Sequence, residues 1–259
     1  MVQPGSTAQS EAAKAAIAAM QAKLPKAEIT KRVDHTHDLF SLWFTPPVNN
    51  YQWKSGQYCT IGIDGIERAY SIVSAAWEGT VELFIELVPN GELTPRLHKL
   101  KVGDMVSFRP SAKGLFVFNP KVTNHLMMST VTGVVPFVSI ARDYVHKNLS
   151  GHKFYIIEGA SYTDEFVYDK ELEDFAKKHP ETFIFIPTIS RPTDPKNAHW
   201  KGEVGRANAV MEKYIQKYNL PKDSTQVYAC GHPGMIESCK EQSAHLGYKF
   251  VEEKFWVEP

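Results

Sequence analysis

The chain has 259 residues, of which 43% are hydrophobic and 22% charged, and its 29 Lys plus Arg balance 29 Asp plus Glu. This is the composition of a folded globular protein, and zero formal charge argues against a general nucleic-acid binder, which needs a basic excess to neutralise phosphates. No apolar run reaches the roughly 18 residues of a membrane-spanning helix, and Met1 to Met20 lacks the apolar block of a secretory signal.

Residues 1–26 are rich in Ala, Gln, Ser and Lys. Ala15, Ile17, Met20 and Leu24 form only a weak amphipathic stripe, so the segment reads as a poorly packed N-terminal extension. From residue 27 to about 121 the pattern is strand-like. Ala27–His35, Leu39–Thr45, Gln57–Ile63, Glu67–Val73, Val81–Val88 and Met105–Arg109 are rich in Val, Ile, Phe and Tyr and bounded by Gly, Pro, Asn and Asp. A short helix over Thr94–Leu100 interrupts them. Several short strands with turn signals predict an antiparallel β-barrel or sandwich.

From residue 122 to 259 the rhythm changes. Strands are expected at His125–Ser129, Lys153–Glu158, Thr182–Ile189, Thr225–Cys230 and Phe250–Val257. Helices are expected at Val134–Lys147, Asp164–Lys178, Ala207–Tyr218 and Gly234–Leu246. Alternating strands and helices predict a doubly wound parallel α/β sheet. The chain therefore reads as two domains, with a boundary at 121/122. Cys59, Cys230 and Cys239 make no CxxC pair and no disulfide framework, so a reducing cytoplasm is the expected compartment. The usual four-thiolate iron–sulfur site is excluded, and no metal site is expected.

Six segments carry chemistry. Arg68-Ala69-Tyr70-Ser71 puts a cation beside an alternating aromatic and a hydroxyl, a set suited to a diphosphate and a planar ring. In Gly91-Glu92-Leu93-Thr94-Pro95, Thr94 and Pro95 look like a helix start, whose free N–H groups favour a phosphate. Ser129-Thr130-Val131-Thr132-Gly133-Val134-Val135-Pro136 follows the first strand of the second domain, where a doubly wound sheet holds a nucleotide. Tyr228-Ala229-Cys230-Gly231-His232-Pro233-Gly234-Met235 ends a strand in a small thiol and turns into a helix. Ser190-Arg191 with Arg206 suits an additional phosphate. The last segment is Glu253-Lys254-Phe255-Trp256-Val257-Glu258-Pro259, which puts aromatics at a chain end. Each segment alone also has an ordinary structural reading: an amphipathic strand, a self-capped helix, a buried structural cysteine, a solvated basic surface.

In their order and domain placement these segments resemble the ferredoxin–NADP⁺ reductases, particularly the bacterial FAD-containing type, over roughly Ala27 to Pro259. The resemblance implies an FAD-binding barrel followed by an NAD(P)-binding α/β domain. It implies FAD contacts from Arg68, Ala69, Tyr70 and Ser71, with Tyr70 against the isoalloxazine and Arg68 toward the pyrophosphate. It implies a pyrophosphate turn at Gly91, Glu92, Leu93 and Thr94, and flavin and nicotinamide contacts from Thr132 and Gly133. Cys230, Gly231, Pro233 and Met235 would hold the nicotinamide, and Ser190, Arg191 and Arg206 the 2′-phosphate. Phe255 would cover the flavin and gate the nicotinamide, and Trp256 would stack on the FAD adenine. Ser71, Cys230 and Phe255 are the residues implied closest to hydride transfer between nicotinamide C4 and flavin N5.

Two positions depart from the family. Val131 stands where glycine is usual, and Ser161 where many relatives carry arginine, which leaves NADH open beside NADP(H). Oxygenase reductases that use NADH share Ser190-Arg191-Pro192 with a following Trp, here Trp200. The implied partner is a separate one-electron carrier, ferredoxin or flavodoxin, and Lys54, Arg96, Lys99, Lys101 and Lys113 are a candidate docking patch for it. Alternatives are an NADH-dependent reductase supplying an oxygenase, and a non-catalytic flavin- or nucleotide-binding regulatory module.

Overall fold

The computed structural model describes residues 15–16 and 19–254. Phe255 and Trp256 lie outside the described residues. The chain divides into two units, one up to Gly114 and one from Leu115 onward.

The first unit is built from β1 (Lys26–Asp34), β2 (Leu39–Phe44), β3 (Tyr58–Ile63), β4 (Ile66–Ser71), β5 (Val81–Glu86) and β6 (Met105–Phe108). They form a six-stranded sheet in the order β4-β3-β6-β1-β2-β5, with every neighbouring pair antiparallel. In β1, buried Ala27 and Ile29 alternate with exposed Lys26, Glu28 and Thr30, the period of two that a half-buried strand requires. The Val73 N–H donates to Glu82 O at 2.9 Å, joining the chain beyond β4 to β5 and closing the sheet into a barrel. Closure removes the exposed edges. The interior is filled by Ile29, Phe40, Leu42, Phe44, Ile61, Leu83, Ile85 and Phe108. β4 stops at Ser71, short of the Val73 expected from sequence, because Ile72 and Val73 leave the β3 ladder to bond Gln57 and Glu82. A short helix, α1 (Thr94–Leu97), ends before the expected Leu100.

Residues 19–22 are helical. Met20 is exposed while Gln21 is 4% exposed. The Gln21 amide donates to Ile66 O at 3.1 Å and accepts from the Gly65 N–H at 2.6 Å, so this segment docks on the β3–β4 hairpin through a buried amide.

The second unit contains β7 (Asn124–Thr130), α2 (Val135–His146), β8 (Lys153–Ala160), α3 (Asp169–Lys178), β9 (Phe183–Ile189), β10 (Glu203–Val204), α4 (Ala207–Lys217), β11 (Thr225–Cys230), α5 (Pro233–Leu246) and β12 (Lys249–Glu253). Its sheet runs β10-β9-β8-β7-β11-β12, parallel throughout. The chain starts at β7, moves outward to β10, and returns to β11 on the other side. The direction of winding therefore reverses between β7 and β11, and ligands of such sheets bind beyond the carboxyl ends of the strands at that reversal. Both faces are covered, so the strands are continuous apolar runs such as Leu126-Met127-Met128, all buried. One face packs Leu126, Met128, Ile157, Val227 and Ala229 with Val210 and Met211 of α4 and Ile236 of α5. On the other, Phe154 lies 4.9 Å from Tyr144 of α2 and 5.2 Å from Phe183.

The helix expected at Asp164–Lys178 is broken. A 3₁₀ turn covers Thr163–Glu165 and α3 begins only at Asp169. Phe166 and Tyr168 between them are 7% and 6% exposed, and Phe166 is extended (φ −82°, ψ 91°). Turning those two aromatics inward is incompatible with a continuous helix. The two-residue β10 is too short to leave a periodicity signal. Phe116 and Phe118 belong to the second unit: Phe116 meets Phe137 at 5.7 Å and Tyr228 at 5.6 Å, and Phe118 meets His125 at 5.0 Å.

Candidate functional site

In the first unit the polar motif lies on β4, beside the α1 turn. Arg68 and Tyr70 share one face of the strand and Ala69 and Ser71 the other, as strand alternation requires; Tyr70 pairs with Cys59 and Ser71 with Tyr58 on β3. Tyr70 packs its ring against the barrel core, and burial pushes its hydroxyl well above the usual tyrosine range, so it is a neutral ring at any working pH. Arg68 reaches across to the turn: its Nη2 donates to Glu92 Oε2 at 2.6 Å and its Nη1 to Glu67 O at 2.7 Å. Both partners of the Arg68–Glu92 pair are about half exposed, so the pair contributes little to stability.

The turn itself is tight. Gly91 N–H donates to Val88 O at 2.9 Å, and Thr94 Oγ1 accepts from Val88 N–H at 2.9 Å. A Cβ on Gly91 would stand 3.1 Å from Val88 O and 3.3 Å from Thr94 Oγ1. Leu93 is 2% exposed and anchors the turn in the barrel core. Among the described residues, no protein acceptor meets the N–H groups of Glu92, Leu93 and Thr94. Successive unpaired N–H groups beside a guanidinium fit a diphosphate, and a neutral, half-buried aromatic two residues from that guanidinium fits a planar ring. The residues present thus suit an FAD.

In the second unit four loops leave the carboxyl ends of β7, β8, β9 and β11. The loop after β7 and the loop after β11 interlock through glycines. A Cβ on Gly133 would fall 2.1 Å from Cys230 O, and one on Gly231 would fall 2.3 Å from Thr130 Oγ1. Gly231 also sits at φ 128°, which L side chains rarely adopt. The His232 N–H donates to Thr130 Oγ1 at 2.8 Å, sealing the junction. Val131 sits at φ 43°, a left-handed conformation that costs a β-branched residue about 1–3 kcal/mol. Its side chain packs with Ala160, Phe166, Ile189 and Trp200, which offsets part of that cost. Sequence alone offered the identity of this residue and no sign of its backbone.

Cys230 is 3% exposed, and burial together with nearby Glu253 keeps its thiol protonated. It is a small neutral group at a strand end and no nucleophile. Glu253 opens the terminal segment read from sequence, where it carries no assigned role. It arrives because β12 pairs with β11 in parallel, setting Glu253 opposite Cys230. Pro233 opens α5, whose first turn is capped by His232 Nδ1 accepting from Gly234 N–H at 3.1 Å. Met235 points into the core, its sulfur 3.6 Å from Cys239 Sγ.

Ser190 and Arg191 follow β9, and the Ser190 N–H bonds Ala160 O at 2.9 Å. Arg206 caps α4 two residues beyond Val204, which pairs with Ile189. These three polar residues therefore share one edge of the sheet. Ser161 ends β8 and offers no charge, but Arg191 Nη1 donates to the Tyr162 hydroxyl at 2.5 Å. Among the described residues no group of three or more His, Cys, Asp or Glu gathers as a metal site, and no helix is long and apolar enough to cross a membrane.

Comparison with known proteins agrees with both units. Residues 26–118 match an oxidoreductase FAD-binding domain and residues 127–241 an oxidoreductase NAD-binding domain. The chain is 32% identical to the ferredoxin–NADP reductase of Azotobacter vinelandii over 230 residues, covering 80% of this chain and 85% of that one. It is 30% identical to the flavodoxin/ferredoxin–NADP reductase of Escherichia coli over 220 residues, covering 81% and 85%. A ferredoxin NADP⁺ reductase from Neisseria gonorrhoeae, solved with bound FAD and NADP, superposes with a TM-score of 0.79 at 24% identity, over 90% of this chain and 99% of that one. With a barrel carrying the Arg68–Ser71 strand, a parallel sheet carrying the Thr130–Gly133 and Cys230–Pro233 loops, and this degree of identity over both, the chain belongs to the ferredoxin/flavodoxin–NADP reductase family of FAD-containing oxidoreductases.

Proposed function

We propose that the protein transfers electrons between NADP(H) and a separate one-electron carrier, a ferredoxin or flavodoxin. The observation that carries this reading is the Arg68-x-Tyr70-Ser71 strand lying against the Gly91–Thr94 turn, in one chain with a parallel sheet whose switch-point loops interlock at Gly133 and Gly231. When bound, FAD and the nicotinamide supply the chemistry, a hydride passing between nicotinamide C4 and flavin N5.

The residues bind and orient. Arg68, released from Glu92, would hold the FAD diphosphate together with the N–H groups of Glu92, Leu93 and Thr94. Tyr70 would stack on the flavin and Ser71 would hydrogen-bond its edge. Thr132, with Gly133 behind it, and the Cys230–Pro233 loop orient the nicotinamide. Cys230 acts as a protonated, compact wall and Glu253 fixes its position. Ser190, Arg191 and Arg206 take the 2′-phosphate. Phe255 and Trp256 keep the roles that the resemblance implies, on the flavin face and the adenine.

The carrier follows from the absence of a four-cysteine set in the sequence and the same family membership. Free, buried Cys59, Cys230 and Cys239 suit a reducing compartment, the cytoplasm. The test is a spectrum of the purified protein, followed by anaerobic NADPH. A yellow protein that bleaches and then reduces a ferredoxin bears the reading out. A colourless protein that takes up no FAD overturns it. Ser161 makes an NADH-dependent oxygenase reductase the competing reading, and the ratio of kcat/KM for NADPH and NADH separates the two.

A further inference from the structure

Position 161, at the end of β8, carries no charge, yet the loop after β9 brings a second cation to the same place. Tyr162 is the meeting point. The Arg191 guanidinium lies 5.1 Å from its ring centroid while bonding its hydroxyl, and Lys196 Nζ lies 4.6 Å from the same centroid. Lys196 is placed there by a built loop. Asp194 caps a 3₁₀ turn, its carboxylate accepting the Lys196 N–H at 2.9 Å. Asn197, 1% exposed, ties the two loops together. Its Nδ2 donates to Ser161 O at 2.9 Å and Arg191 O at 2.8 Å, and its Oδ1 accepts from the Thr163 N–H at 3.1 Å.

Arg32, Arg68, Arg96, Arg109 and Arg142 each meet a carboxylate within the unit that holds them. Among the described residues, Arg191, Lys196 and Arg206 meet none, and Arg191 and Lys196 share one aromatic ring. On these loops Glu165 accepts from the Ser161 and Tyr162 N–H groups and Asp194 from Lys196 N–H, while exposed Asp164 pairs with neither cation among the described residues. Two like charges held on one ring without a counter-ion repel each other, and a dianion between them reverses the sign of that interaction.

We propose that Lys196 is a specificity-determining residue: with Arg191, and on the ring of Tyr162, it forms a two-cation clamp for the phosphate monoester on the adenosine ribose of NADP(H). The role of Asn197 is positioning, since it sets the spacing of the clamp. The inference rests on the NADP(H) reading above.

The test uses the full-length flavoprotein. Binding of adenosine 2′,5′-bisphosphate and of adenosine 5′-monophosphate is measured by calorimetry for the wild type, Lys196→Gln, Lys196→Arg and Arg191→Ala, alongside KM for NADPH and NADH. Lys196→Gln should weaken the bisphosphate and raise KM for NADPH by roughly tenfold, as expected for one charge-assisted contact. It should leave the monophosphate, KM for NADH and kcat unchanged, and Lys196→Arg should restore the wild-type pattern. If Arg191→Ala loses the bisphosphate selectively and Lys196→Gln does not, the clamp is wrong while the NADP(H) reading stands. If the wild type itself binds the two nucleotides equally, the NADP(H) reading falls and the clamp with it.

Discussion

Val131 shows how much a single residue can hide. Its positive φ is the reason glycine suits this place, and its side chain buries against Phe166 and Ile189 while its backbone is strained. The two effects separate by substitution. Val131→Ala keeps the unfavourable backbone and loses packing, whereas Val131→Gly loses packing but relaxes the backbone. Glycine should therefore be more stable than alanine here by about 1 kcal/mol, the reverse of the usual order within a helix or strand. Thermal melts of the two variants decide it: alanine equal to or above glycine would show that φ is unstrained. The motif residues were legible in sequence because they recur in a fixed local order. The roles of Glu253, Lys196 and Asn197 were not, since each gains meaning only from a neighbour far along the chain: Cys230 on β11, Tyr162 in the loop after β8, and Ser161 beside it.

Two ionisable side chains make individual strands sensitive to pH in opposite directions. His125 on β7 is fully buried, stacked on Phe154 at 4.7 Å and 3.4 Å from both the Tyr228 hydroxyl and His152 Nδ1. Burial, with His152 adding to it, holds its pKa down to about 3 from an ordinary 6.5. Between those values the unfolded chain binds a proton that the folded one does not. Stability is complete above 6.5 and is lost as pH falls toward 3, by up to ~1.4 kcal/mol per pH unit. In denaturant titrations, His125→Phe should remove that acid limb; an unchanged limb would assign it to other groups.

Glu158 on β8 is the converse. It is fully buried, both carboxyl oxygens lack a partner among the described residues, and burial reinforced by Asp169 raises its pKa well above 4.5. The folded chain now holds the additional proton, so stability falls as pH rises above 4.5. Glu158→Met should stabilise the protein, with a gain that grows with pH. A pH-independent gain would mean that the carboxyl is ionised in the fold. Periodicity gave both strands correctly, but it treats His125 and Glu158 as polar interruptions and carries no sign of their burial.

For the whole molecule, zero net charge conceals local asymmetry. Lys54, Lys99, Lys101 and Lys113 of the first unit are exposed and without a carboxylate partner among the described residues, while Arg96 pairs with Asp64. If these lysines receive an acidic carrier, its reduction should slow as salt rises, because exposed charges are screened beyond about 10 Å at 0.1 M ionic strength. The rate of flavin reduction by NADPH, measured in parallel, corrects for any direct effect of salt on the enzyme. A carrier rate independent of salt removes the patch.

The sequence by itself determined the two kinds of architecture, since periods of two and of mixed strand and helix are local properties that survive without any contact between distant segments. It also carried the family resemblance that implies the cofactor class, because Arg68–Ser71, Gly91–Thr94 and Cys230–Pro233 are contiguous. Only the tertiary structure decided the closure of the barrel at Val73 and Glu82, the break at Phe166–Tyr168, the strain at Val131, and the assembly of Arg191, Tyr162 and Lys196. Each of these depends on the order in which strands lie side by side, and that order is set by burying area against partners tens of residues away.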